Sequence, residues 1–366
     1  MHSDTHARVA LSRVPGIGAK LFRSLIHHFT SADDVLRARP QELCEVEGVA
    51  ERTAHAFTSE RHLKEADAIL HHAEKSEVHI LCCVDDDYPG RLAKLAGSPP
   101  ILYHLGQTDL QNKRTAAVVG TREMSSRGSR QIDLLLDPLA EYDPLIVSGL
   151  AYGVDIYAHR RCLQIGLPTL GVMGSGFGHV YPAAHARTAL KMVEAGGGIL
   201  TEYPYWMKPN REHFPARNRI VAAQSDVTVV VESATRGGSM ITARMAHDMG
   251  RKVGACPGRG GDPLTAGCNA LIKKGKAHLI EEGQDLIDLM KWKGAVKGTQ
   301  RRLFDDLSAA EQQLVSCLRD QEAVDIDTLH HLMSEPPARL AGTLLMLEMK
   351  GHIVSLPGHR YRLAGG

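Results

Sequence analysis

Four short stretches of this chain bring Gly, Ser, Thr and Arg together in the way that anion chemistry requires. Val119-Gly120-Thr121-Arg122 runs into Ser125-Ser126-Arg127-Gly128, a tight turn followed by two hydroxyls able to cap a helix, with two guanidinium groups beside them. Ser148-Gly149-Leu150-Ala151-Tyr152-Gly153-Val154-Asp155 has glycines where backbone must approach closely. Gly174-Ser175-Gly176-Phe177-Gly178 precedes Tyr181-Pro182, and Arg236-Gly237-Gly238-Ser239 precedes Thr242. The first turn of a helix presents unpaired N–H groups and a partial positive charge, both suited to an anion. Arginine adds a planar, permanently charged donor that meets phosphate bidentately. Any one of these turns reads more readily as a plain connection. Four in one chain suit a row of phosphates, which makes a repeating phosphodiester the expected ligand.

The elements that must position these turns are visible as seven short β-branched runs. They are Thr115–Gly120, Leu145–Gly149, Thr169–Gly174, Gly198–Glu202, Asp226–Ser233, Lys252–Pro257 and Ala277–Ile280. Segments of helical length separate them, which predicts βα units and a parallel sheet covered on both faces. Ligands of such sheets bind beyond the carboxyl ends of the strands, where the four turns fall.

Charge is concentrated in the same region. The chain as a whole carries +1, yet Thr201 to Gly260 holds nine Lys or Arg against five Asp or Glu. A local excess of this kind is the footprint of a polyanionic partner. Within it, His213-Phe214-Pro215-Ala216-Arg217-Asn218-Arg219-Ile220 sets an aromatic beside two arginines and an amide. Single-stranded bases stack on such planes. The same spacing also describes a Phe anchoring a helix start with solvated arginines behind it, and both readings stay open here.

In chain order, Val118-Val119-Gly120-Thr121-Arg122, Ser148-Gly149-Leu150-Ala151 with Gly153-Val154-Asp155 and Ala158-His159, Tyr181-Pro182, Thr201-Glu202-Tyr203-Pro204, Phe214-Pro215 with Arg217-Asn218-Arg219-Ile220, Gly238-Ser239 with Ile241-Thr242-Ala243, and Pro257-Gly258 resemble the DNA-processing protein A family, DprA or Smf. The likeness spans residues 92–280. It implies an extended Rossmann-like domain that binds single-stranded DNA, dimerises, and hands the strand to the RecA recombinase during natural transformation. It also implies that Arg122 and the Gly120 turn hold backbone phosphate, that Phe214 meets a base, and that Arg217, Asn218 and Arg219 complete the pocket. The expected DNA-contacting set is Gly120, Thr121, Arg122, Ser125, Ser148, Gly149, Gly174, Gly176, Phe214, Arg217, Asn218, Arg219, Gly238, Ser239 and Thr242, with no catalytic residue, metal or cofactor. Three positions depart from the family pattern. Tyr152 stands where Arg is usual, Gly238 where Ser is common, and Cys256 where the pattern is apolar. The first removes a charge from the strand path and bears on affinity rather than on ligand class.

The flanks predict two smaller domains around the sheet domain of residues 76–290. In residues 1–75, Val14-Pro15-Gly16-Ile17-Gly18-Ala19-Lys20 and Val46-Glu47-Gly48-Val49-Ala50 each sit between amphipathic helical stretches, as in helix–hairpin–helix units. Such hairpins can offer N–H groups to phosphate, although Glu45, Glu47 and Glu51 surround the second. Residues 291–304 read as a linker. In residues 305–366, Ala309–Leu318, Ile326–Met333 and Leu340–Lys350 carry helical spacing ahead of a hairpin around Pro357-Gly358, which predicts a winged helix. That segment has seven basic and nine acidic residues from Arg301 onward, so a regulatory, protein-contacting or packing role is expected of it rather than tight DNA binding.

Composition and motifs set the remaining limits. With 366 residues, 43% hydrophobic and 23% charged, the chain fits a folded protein of two or three domains. It lacks an apolar run of about 20 residues and a signal peptide, so a cytoplasmic location without membrane contact is expected. Seven scattered cysteines lack zinc or dithiol spacing. The adjacent histidine pairs diverge on a helix; His159 is expected to shape the turn after Asp155. A Walker A loop is absent, which argues against ATP hydrolysis. The competing enzyme reading is a Rossmann-like nucleotide phosphoribohydrolase, which would continue Gly237-Gly238 with a catalytic Glu. Here Ser239 to Arg244 contains no carboxylate, and Glu202 is the one strand-end acid placed to substitute. The helix around Asn269–Lys274, with Leu271 and Ile272, reads either as a dimer or RecA contact or as ordinary packing.

Overall fold

Thr115-Ala116-Ala117-Val118-Val119 is buried along its whole length, as a strand covered on both faces must be. In the computed structural model it lies in the middle of a nine-stranded sheet. The structure describes residues 4–95, 97–294, 314, 317–318, 324–333, 337–349, 353–356 and 360–363. These fall into two units, residues 1–294 and 295–366.

The first unit opens with six helices: α1 (Asp4–Arg13), α2 (Ala19–Phe29), α3 (Ala32–Arg37), α4 (Pro40–Cys44), α5 (Glu51–Ala56) and α6 (Arg61–Lys75). The hairpins between α1 and α2 and between α4 and α5 turn on Gly16 and Gly48, at φ of +88° and +94°, a region other residues rarely enter. Next come β1 (His79–Cys82), α7 (Gly90–Ala93) and β2 (Ile101–Gly106). The alternating part then follows as β3 (Thr115–Val119), α8 (Ser126–Leu136), β4 (Leu145–Ser148), α9 (Val154–Ile165), β5 (Thr169–Val172), α10 (Ala186–Glu194), β6 (Gly198–Thr201), α11 (His213–Ala223), β7 (Val227–Val230), α12 (Gly238–Asp248), β8 (Lys252–Ala255), α13 (Ala266–Lys273), β9 (His278–Leu279) and α14 (Gly283–Met290).

All seven sequence-read runs are strands, and they pair in parallel in the order β6-β5-β4-β3-β7-β8-β9. Two strands not singled out from sequence extend the β6 edge: β2 pairs antiparallel with β6, and β1 antiparallel with β2. From β3 the chain steps outward through β4, β5 and β6, then returns to the other side of β3 for β7. That reversal is the switch point at which open α/β sheets leave a crevice. Helices α8, α9 and α14 cover one face through Ile132, Leu135, Val154, Ala158 and Leu286. On the other, Ile220 of α11, Ala243 of α12 and Leu271 of α13 join a core that continues into Phe22 and Leu25 of the helical region. Leu271 packs inward, as does most of Ile272, so both take part in helix–sheet packing within the chain.

In the second unit, β10 (Val324–Asp325), α15 (Ile326–Met333), α16 (Pro337–Met349), β11 (Ile353–Leu356) and β12 (Arg360–Leu363) form a winged helix with sheet order β10-β12-β11. Leu329, Leu340, Leu344 and Ile353 are its core. Of the helix expected at Ala309–Leu318, residues 314, 317 and 318 are described and helical, while the rest, like most of the 291–304 linker, lies outside the described residues.

Candidate nucleic-acid interface

A cleft of about 790 Å³ opens at the switch point, beyond the carboxyl ends of β3, β4 and β7. Ten of the fifteen expected contact residues line it: Gly120, Thr121, Arg122, Gly149, Phe214, Arg217, Asn218, Gly238, Ser239 and Thr242. The other five, Ser125, Ser148, Gly174, Gly176 and Arg219, lie outside it, each for a definable reason.

Helices α9, α11 and α12 begin at the cleft and α8 beside it, and the starts of α8 and α9 are already engaged from within the protein. Ser125 caps α8 by accepting from the Gly128 N–H at 3.1 Å, and both its N–H (3.0 Å) and its hydroxyl (2.5 Å) donate to the buried Glu232 carboxylate. A carboxylate occupies the position at which a phosphate was expected. The Gly120-Thr121 turn is tied down as well. Thr121 N–H donates to the Glu232 carbonyl at 2.7 Å, and the Thr121 carbonyl accepts from Val154 at 3.1 Å. A Cβ on Gly120 would fall 2.4 Å from Val154. The start of α9 has Asp155 in its first turn.

The α12 start is open. Gly237 occupies the N-cap of α12 without a side-chain cap, no acid lies in the first turn, and a Cβ on Gly238 would meet nothing within 4 Å. Ser239 and Thr242 flank it, the Ser239 hydroxyl donating to Ser233 at 2.8 Å. Unpaired N–H groups at a helix start of this kind suit an anion.

Arg122 and Arg217 have different jobs. Arg122 is exposed at the mouth, its guanidinium carbon 5.9 Å from the Phe214 ring centroid, and Phe214 meets Tyr181 at 5.4 Å. Arg217 is 4% exposed and donates to the carbonyls of Gly149 and Val172, with Asn218 accepting from its Nε at 3.2 Å. It braces the ends of β4 and β5 from the cleft wall. Burial pulls its pKa down and pushes that of Asp155 up, in each case opposed by the other's charge. Gly149 leaves room for both, since a Cβ there would lie 2.6 Å from either group.

The residues outside the cleft serve packing. The Ser148 hydroxyl donates to the Val118 carbonyl at 2.6 Å, tying β4 to β3. Gly174 abuts His213 and Phe214. A Cβ on Gly176 would lie 1.9 Å from the Pro204 carbonyl oxygen, so the Gly174–Gly178 turn seats a neighbouring loop instead of a phosphate. Arg219 pairs with Glu202 at 2.5 Å. Burial raises the Glu202 pKa against the pull of Arg219 and His213. His159 is fully buried in mid-helix, bonded to the Thr169 hydroxyl at 2.7 Å, and burial lowers its pKa to about 3. It stabilises helix–sheet contact as a neutral ring rather than shaping the turn after Asp155. Arg211 and Tyr181 line the cleft but were not among the expected contacts. The basic excess of residues 201–260 included the former, and the Tyr181-Pro182 motif the latter.

Fold and site together define a doubly wound α/β protein with a cleft at its switch point, whose chain also includes a winged-helix module. Residues 79–291 match the DNA recombination-mediator protein A family, residues 300–359 the DprA winged helix domain, and residues 9–60 a SAM-like helix-hairpin-helix tandem. The chain belongs to the DNA recombination-mediator protein A family, DprA/Smf. Protein Smf of Synechocystis is 34% identical over 285 residues, covering 77% of this chain and 71% of that protein. Protein Smf of Escherichia coli is 32% identical over 322 residues, covering 86% and 85%. Among solved structures, DNA processing protein A of Streptococcus pneumoniae superposes with a TM-score of 0.67 at 31% identity, covering 80% of this chain and 99% of that one. A structure of DNA processing protein A from Helicobacter pylori, concerned with its single-stranded DNA binding mode, gives 0.53 at 29% identity, covering 59% and 98%.

Proposed function

We propose that the chain binds single-stranded DNA in the switch-point cleft without reading its sequence, and assists RecA loading during DNA uptake and recombination. The observation that carries this reading is the pairing of one open helix start, α12, with an exposed cation over an aromatic pair, Arg122 with Phe214 and Tyr181. The first suits a phosphate and the second a base. Dimerisation, which would lengthen the strand path, and RecA as the receiving partner are proposals drawn from family membership. So is a division of labour among residues 1–75, 76–290 and 305–366, with 291–304 as a linker. A non-enzymatic role fits the site better than nucleotide hydrolysis, because Glu202 is locked to Arg219 and does not line the cleft.

The test is fluorescence anisotropy of labelled single-stranded and duplex oligonucleotides over a salt series, with Arg122→Ala and Phe214→Ala beside the parent. A salt-sensitive preference for the single strand, weakened by both substitutions, is expected. Absence of binding at low salt, together with nucleotide hydrolysis lost in Glu202→Gln, would move the assignment to the phosphoribohydrolase class.

A further inference from the structure

Outside the cleft, the loop between β6 and α11 carries Tyr205-Trp206-Met207-Lys208-Pro209-Asn210-Arg211, with Pro209 and Arg211 on the cleft rim. Its first part is clamped in place. Gly178 N–H donates to the Tyr205 carbonyl and Gly176 N–H to the Met207 carbonyl, both at 2.9 Å, while Met207 N–H closes a turn onto Pro204 at 2.9 Å. On this fixed turn the Tyr205 ring stacks on His72 of α6, at 4.4 Å and 7° between planes, and Trp206 tilts against the same imidazole at 5.9 Å. Even so, Tyr205 and Trp206 remain 37% and 36% exposed. Two large aromatic rings held rigidly and left open to solvent are a surface built for contact.

The chemistry around Trp206 suits a nucleic acid strand. A groove of about 500 Å³ runs between the indole and α6, lined by Arg61, Lys64 and Ala68. The two acids of this groove are already engaged: Glu60 with Lys64 at 3.7 Å, and Glu65 with Arg61 at 3.0 Å and Arg13 at 2.9 Å. Arg61 and Lys64 balance these two acids within the groove, and the exposed Lys208 and Arg211 supply positive charge along the loop that leads to the cleft. Pro209 lies three positions after Trp206, a backbone span of at most about 11 Å. That is roughly three nucleotides at the stacked spacing of about 3.4 Å.

We propose that Trp206, supported by the Tyr205–His72 stack, is a second base-stacking station for single-stranded DNA, carrying the strand out of the cleft toward α6. The proposal rests on the single-strand reading of the cleft and deepens it by defining an exit path. It also gives Gly176 its function, since only a residue without Cβ lets the loop sit this close.

The chain contains two tryptophans, Trp206 and Trp292, so full-length Trp292→Phe leaves Trp206 as the single indole reporter. Oligothymidylates of about 5 and about 20 nucleotides, the first confined to one site, serve as probes, with anisotropy read in parallel. The longer strand is expected to quench Trp206 fluorescence and the shorter to leave it unchanged. In the parent background, Trp206→Ala should weaken the longer strand by about 5- to 150-fold, the range carried by one stacked base. The shorter strand should bind as before, and Trp206→Phe should recover most of the loss. Tight binding of the longer strand without quenching, or equal affinities for Trp206→Ala and parent at both lengths, overturns the station while leaving the cleft reading intact. Failure of both strands to bind at low salt removes the cleft reading and the station together.

Discussion

Arg122 and Arg217 look alike from sequence, and their substitutions should have opposite signatures. Arg217→Met keeps the length of the side chain but deletes donors to two buried carbonyls and the guanidinium that faces the buried Asp155. Orphaning a buried carbonyl costs about 1–3 kcal/mol, and removing one partner of a buried charged pair about 3–5 kcal/mol. These penalties overlap, because Asp155 can take up a proton and relaxation brings water to the carbonyls, so about 3–5 kcal/mol is the expected total. For a unit of this size each kcal/mol moves Tm by about 2 °C, which gives a fall of roughly 6–10 °C. Arg122 is exposed, so Arg122→Ala should leave Tm unchanged within the roughly 0.5 kcal/mol typical of surface positions. It should instead make the slope of log K against log salt shallower by about 0.7, one phosphate contact on a single strand. Thermal melts and an anisotropy salt series on both variants decide the matter. Adding Asp155→Asn to Arg217→Met should restore part of the lost Tm, because the uncompensated charge is then gone. An Arg217→Met protein that melts with the parent yet loses DNA affinity would refute the reasoning and place that guanidinium on the strand.

Two glycines provide a matched contrast. Gly238→Ala enters open space at a helix start and should leave Tm unchanged while lowering single-strand affinity, by crowding the anion seat of α12. Gly176→Ala drives a methyl onto the Pro204 carbonyl and should lower Tm and release the Trp206 loop, read as faster proteolysis of residues 204–212. Ser125→Ala should cost about 1 kcal/mol as a lost cap, measured by denaturant titration, with little change in DNA affinity because Glu232 already fills that helix start. Acid should weaken the fold through its neutral histidines. Burial holds His159 at about 3 and His104 at about 4, below their unfolded value near 6.5, so their contribution is fully present above pH 6.5 and is lost as pH falls through that window. Each adds a slope of about 1.4 kcal/mol per pH unit, and His159→Asn should flatten the stability–pH profile between pH 6.5 and 4 by about that amount.

What the sequence determined was the alternation of strands and helices and the general place of the ligand. The strands β3 to β7 are short, rich in β-branched residues and buried at every position, and burial on both faces leaves such runs little alternative to a parallel sheet. The winged helix and the paired glycine hairpins were legible for a similar reason, because their turns and apolar spacing are local. The antiparallel β1 and β2 were not, since their place at the β6 edge depends on partners far away in the chain. Only the tertiary structure sorted the site. Ser125, Arg217 and Arg219 have the residue types of phosphate contacts, yet Glu232, the Gly149 and Val172 carbonyls and Glu202 claim them across separations of 107, 68, 45 and 17 residues. A guanidinium or hydroxyl satisfies the nearest acceptor the fold supplies, and which acceptor that is cannot be read from its neighbours in sequence. The same logic left α12 open: its Gly237 cap is ordinary in the chain, and among the described residues no side chain caps it and no acid lies in its first turn.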